Sequence, residues 1–175
     1  MTPMFTPTHL QYAAPRIRMG GVGPQMTEVA GEVADGFIAH GFTSPEYMRA
    51  VTLPAIERGL AKSNRTRTDF EIVCPVMVVS GETEQAFVAS REIIRKQLAF
   101  YGSTPAYRAV LDFHGWGDLQ NELNALSKQG LWDEMTTRIT DEILQTLAVV
   151  CEKPERISTV LKTAYGDLMD HWMCT

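Results

Sequence analysis

Apolar positions along this chain alternate between short continuous runs and longer stretches at helical spacing, the pattern of strands exchanging with helices. The clearest stretch is Arg16 to His40. Ile17 and Met19 end a short apolar strand, Gly20, Gly21 and Gly23 let the chain turn sharply, and Pro24 suits the first position of a helix. Met26, Val29, Ala30, Val33 and Ala34 then recur at helical spacing and form one apolar stripe, expected to lie on a sheet. Ala34-Asp35-Gly36 breaks that helix. Phe37-Ile38-Ala39-His40 follows as a nearly continuous apolar run, the pattern of a buried parallel strand, with His40 at its C-terminal end. The whole stretch reads as one βαβ unit.

Further along, Ser44 is placed as an N-cap ahead of Pro45, opening a helix to about Lys62 that Pro54 should kink or split. Asn64 to Asp69 is a polar loop whose Arg65 and Arg67 are either solvated or able to touch a cofactor's acidic tail. Phe70 to Val79 is rich in β-branched residues and reads as the best strand, although Pro75 demands a bulge or an unpaired N–H side. Glu82, Thr83 and Glu84 give an acidic first turn to a helix reaching about Tyr101, with Ala86, Ala89, Ile93, Leu98 and Phe100 as its apolar contacts. Ser103 to Ile139 is helical and punctuated by glycines, with Trp116 and Trp132 filling the core or anchoring an interface. Thr140 caps the next helix, and Pro154 opens a last one with Ile157, Val160, Leu161 and Ala164 on its apolar face. His171 to Thr175 reads as a shortened or altered closing strand. Met1 to Pro15 has no period, so residues 1–15 are expected to be a tail or linker and residues 16–175 the domain.

The chemistry concentrates in the glycine loop. Unpaired N–H groups there, together with the positive end of the following helix, would favour a phosphate above the strand ends, though the same glycines could simply make a tight turn. Gly20, Gly21 and Gly23 have the wrong spacing for the dinucleotide fingerprint. His40 is the histidine at a predicted strand C-terminus, a candidate for catalysis or a hydrogen-bonded structural residue, whereas His9, His114 and His171 show no partner in sequence. A nucleophile elbow, a P-loop and a zinc pattern are all missing, and Cys74, Cys151 and Cys174 are scattered, so no metal site or disulfide framework is expected. With 175 residues, 45% of them hydrophobic, the chain can bury one core. A net charge of −5 with interleaved signs argues against nucleic acid, and no apolar run approaches the ~20 residues of a membrane span. A cytoplasmic location is the default expectation.

Met19-Gly20-Gly21-Val22-Gly23-Pro24-Gln25-Met26 followed by Ala30-Gly31-Glu32-Val33-Ala34-Asp35-Gly36 resembles a late βα unit of the bacterial-luciferase-like superfamily, particularly its deazaflavin-using branch. The resemblance continues through Phe42 to Pro45, Leu53 to Leu60, Asp69 to Val73, Ile139 to Glu142 and Pro154 to Ile157. It departs at Cys151-Glu152-Lys153, where the family usually has a glycine and a small polar residue before the proline. The resemblance implies an α/β fold, the later part of a (β/α)8 barrel with a helical insertion, since the complete barrel typically takes ~250 residues. It implies an oxidoreductase or monooxygenase using coenzyme F420 (a deazaflavin) or FMN, with Gly20, Gly21, Val22, Gly23 and Pro24 holding the cofactor phosphate and His40 lining the pocket. A chain with half the barrel's strands would leave sheet edges open, so a homo-oligomer or a complementing chain is expected, and a non-catalytic assembly module is the alternative function.

Overall fold

The computed structural model describes residues 14–174, so the expectations for residues 1–13, including the tail and His9, lie outside the described residues. The predicted βαβ unit forms as β1 (Arg18–Gly20), α1 (Pro24–Val33) and β2 (Gly36–Ile38). Ser44 caps the next helix, its Oγ accepting the Tyr47 N–H at 3.0 Å. That helix is divided as Pro54 requires: α2 (Pro45–Tyr47) passes into a π-helical turn over Met48–Thr52, and α3 (Leu53–Lys62) restarts with the proline in its first turn, where no donor is lost. The long strand is also divided, into β3 (Glu71–Val76) and β4 (Val78–Val79), with the interruption falling at Met77 rather than at Pro75.

Strands β1, β2, β3 and β6 (His171–Cys174) form one four-stranded sheet in that order, every pairing parallel. The closing strand therefore forms despite its weak sequence, because Val73 to Val76 offer it a ladder. Each successive strand adds on the same side, the winding of a (β/α)8 barrel, and four strands make half of one. A second, two-stranded parallel sheet pairs β4 with β5 (Val149–Val150).

The register separates two faces. Phe37, Ile72, Cys74 and Val76 are buried among Ala30, Met48, Ile56, Leu60, Leu161 and Tyr165, so one face carries α1, α3 and α9 (Ile157–Tyr165). The alternate residues, Ile38, Val73, Pro75 and Met173, point the other way. Ile38 is 38% and Met173 49% exposed. Parallel sheets are normally covered on both faces, so this bare inner face is what a barrel interior looks like without its opposing strands. The same absence corrects the expected stripe on α1: Ala30 and Ala34 are buried, yet Met26, Val29 and Val33 stand exposed, Val33 by 69%, on the flank where a neighbouring βα unit would pack.

A second core lies under a helical excursion, residues 84–147, where α4 (Glu84–Gly102), α5 (Arg108–Phe113), α6 (Gly117–Lys128), α7 (Trp132–Thr137) and α8 (Asp141–Leu147) surround Met77 and Val79. The face of α4 differs from the one expected. Ile94, Leu98 and Ala99 are buried, while Ile93 and Phe100 face solvent. The inward line runs Phe87, Arg91, Ile94, Leu98, and Arg91 disguises it by pairing outward with Asp141. Trp116 packs against the core, and Trp132 is 53% exposed.

Candidate functional site

The glycine loop leaves β1 at Gly20 and enters α1 at Pro24. Gly23 has φ of +80° with ψ of 160°, an extended positive-φ conformation essentially confined to glycine, and it makes the turn into α1. Gly21 is wedged by sterics instead: a Cβ there would meet Met26 Cβ at 3.0 Å and the Phe37 ring at 3.5 Å. Thr27 locks the helix start, its N–H and hydroxyl both donating to the Gly23 carbonyl at 3.2 and 2.9 Å. Among the described residues, the N–H groups of Gly21, Val22 and Gly23 have no protein acceptor. The first turn of α1 holds no carboxylate to occupy its positive end. Unspent donors and an uncompensated helix start give this loop the chemistry that suits an anion.

Beside the loop opens a crevice whose walls include Gly21, Val22, Gly23, Pro24, Thr27, His40 and Tyr107. Its volume is about 40 Å³. That admits a few small groups and no aromatic ring system.

His40 stands two residues past β2, at the strand end where the sequence places it. Its Nδ1 accepts the Phe42 N–H at 3.0 Å. Tyr107 stacks on the ring at 4.4 Å and 29°, and Tyr101 meets it edge-on at 4.7 Å and 85°. Burial holds its pKa below the usual histidine value. The neutral imidazole with an occupied Nδ1 lone pair carries its proton on Nε2. Neither tyrosine was legible beside His40 in sequence, because each arrives from the excursion, more than sixty positions downstream.

His114, without a visible partner in sequence, anchors that excursion. Its Nε2 shares a 2.9 Å hydrogen bond with Ser44 Oγ, which also accepts the Tyr47 N–H. Trp116 stacks on the ring at 5.0 Å. Burial lowers the His114 pKa, opposed in part by Glu46. Ser44 is fully buried and caps a helix, so the pair is a tether and not a nucleophile with its base.

The arginines considered for a cofactor tail are spent on structure. Arg65 donates to the carbonyls of Gly31 and Ala34 at 2.7 and 2.6 Å, closing the end of α1, and Arg67 pairs with Asp170 at 2.7 Å. Both sit at the strand N-terminal end, away from the glycine loop. Burial raises the Cys74 thiol to about 12, so it is inert packing. Among the described residues, no group of histidine, cysteine and carboxylate side chains is arranged to hold a metal, and no helix is long and apolar enough to cross a membrane.

An uncharacterized protein of Mycobacterium tuberculosis is 52% identical over 150 residues, covering 86% of this chain and 44% of its own length. A 5,10-methylenetetrahydromethanopterin reductase of Archaeoglobus fulgidus is 27% identical over 139 residues, 76% of this chain and 40% of its own. Among solved structures, the coenzyme F420-dependent tetrahydromethanopterin reductase of Methanopyrus kandleri superposes with a TM-score of 0.70 at 16% identity, over 91% of this chain and 45% of that one. An F420-dependent secondary alcohol dehydrogenase in complex with an F420-acetone adduct does so at 0.64 and 13%, over 93% and 43%. The latter two likenesses establish the fold, and this chain spans under half the length of the relatives it matches. The profile of the family described as luciferase-like monooxygenase matches residues 1–171, and this chain belongs to that family.

Proposed function

We propose that this chain is the phosphate-holding half of an oxidoreductase that uses coenzyme F420, with FMN as the second cofactor the loop suits. The observation that carries this reading is the run of unengaged N–H groups at Gly21, Val22 and Gly23 before an α1 first turn free of carboxylate. A relative named for dependence on F420, a glucose-6-phosphate dehydrogenase of Microbacterium testaceum, is 39% identical over 62 residues, 35% of this chain and 18% of its own. Gly21, Val22 and Gly23 would hold the phosphate through backbone N–H groups, with Gly20 and Pro24, which has no N–H, shaping the loop's two ends. When bound, a reduced deazaflavin supplies a hydride, and the protein supplies binding and orientation. This chain's own part is to fix the phosphate, to wall the crevice with His40 and Tyr107, and to offer an apolar inner face beside it.

The bare inner face favours a second element of the reading: a complementing chain or another copy covers Ile38 and Met173 and completes the pocket. Without such a cover the chain is an assembly module that keeps the phosphate site and lacks the chemistry. Purified protein dialysed against coenzyme F420 tests the proposal. Retained visible absorbance that phosphate competes away is the expected result, and absorbance no greater than in a buffer control overturns it.

A further inference from the structure

His40, Tyr101 and Tyr107 form a cluster that phosphate binding by the loop does not use. Its geometry is specific. The Phe42 N–H occupies the Nδ1 lone pair of His40, which leaves the ring proton on Nε2. Tyr107 stacked at 4.4 Å and Tyr101 edge-on at 4.7 Å hold the ring plane from two sides. Nε2 has no hydrogen-bond partner among the described residues, and His40 lines the same crevice as Gly21, Val22 and Gly23. An imidazole arranged this way is a donor with a fixed direction and cannot take up a proton at Nε2, so it is unsuited to the general-base role that a strand-end histidine suggests.

We propose that His40 is a positioning residue: its Nε2–H donates to an oxygen of the phosphate-bearing ligand held by the glycine loop, on the phosphate itself or the adjoining polyol, and the two tyrosines keep it aimed. This rests on the phosphate reading of the loop. The Phe42 amide and the ligand would then hold opposite nitrogens of one ring, so binding and local folding depend on different atoms of the same side chain.

Two substitutions separate those atoms. His40→Asn keeps an oxygen at the Nδ1 position to accept from Phe42 and removes the donor at Nε2. His40→Gln keeps a donor near Nε2 and loses the acceptor. Titration with coenzyme F420, followed by its fluorescence, is expected to show Asn weakening binding about tenfold, as for a lost hydrogen bond to a charged group, while Gln stays within ~3-fold. Melting temperatures should rank the other way, with Gln below Asn. Long-range ¹H–¹⁵N correlation spectra of the free wild-type protein should show the Nε2–H tautomer of His40. Equal binding by wild type and Asn, or an Nδ1–H tautomer, overturns the role of His40 while leaving the loop reading intact. A wild type that binds neither coenzyme F420 nor inorganic phosphate removes the loop reading, and this one with it.

Discussion

Helix α1 carries the glycine loop, and its position is set by the contact with α3 at Gly31 and Gly59. A Cβ built on Gly59 would lie 2.0 Å from the Glu28 carbonyl oxygen, 2.8 Å from the Glu32 nitrogen and 2.9 Å from the Gly31 carbonyl carbon. All three are backbone atoms of α1, so no rotamer change relieves them. Restoring an ordinary carbon–oxygen separation of about 3.3 Å means parting the helices by ~1.3 Å. Two effects then compete in Gly59→Ala. Helix propensity favours alanine by ~1 kcal/mol. Forced separation of a packed interface costs typically ~1–3 kcal/mol, and the clash here lies at the severe end because neither side can yield locally. We expect a net loss of ~2 kcal/mol, a fall in Tm of ~4–8 °C for a chain of this size. Thermal unfolding by circular dichroism measures it. Gly31→Ala, whose Cβ would meet the Ile56 carbonyl at 2.5 Å, should shift in the same direction. A Gly59→Ala protein as stable as the parent or more so would show that propensity wins and that α1 is not positioned by this contact.

Stability should also fall as the medium is acidified through the histidine range. Burial keeps His40 and His114 neutral in the fold, so their contribution is complete above the unfolded value near ~6.5 and is lost as pH drops through that value toward the depressed folded ones. Urea midpoints at pH 7.5 and 5.5 should differ in that sense, with the difference reduced in a His40→Gln/His114→Gln double variant; an unchanged difference would refute the assignment. The exposed line Met26, Val29, Val33 on α1 should be covered in solution. Light scattering is expected to find an oligomer for the parent chain and a monomer for Val29→Lys/Val33→Lys, and a monomeric parent would refute the covering.

Much of the local structure was legible because single residues dictate it. Ser44 and Thr140 cap helices through their hydroxyls, as their sequence positions predict. Pro54 forces the split between α2 and α3, and Gly23 supplies the positive φ. The βαβ unit and the place of His40 follow from apolar spacing alone. What sequence could not show depends on partners distant in the chain. Tyr101 and Tyr107 reach His40, and His114 reaches Ser44, only because the excursion folds back over the strand ends. Arg65 and Arg67 looked free and are engaged, since the carbonyls and the Asp170 carboxylate they bind come from other elements. The stripe on α1 misled for a different reason. Its spacing marks an apolar line, but among the described residues no element covers Val29 and Val33.

An amide ¹H–¹⁵N titration with coenzyme F420 reads the loop directly. The largest shifts should fall on Gly21, Val22, Gly23 and Gln25, and should shrink in Gly23→Ala, where a side chain at φ of +80° and ψ of 160° costs ~1–3 kcal/mol and favours a loop conformation that turns the donors away. Shifts absent from these amides, or centred on another part of the molecule, would contradict the phosphate site.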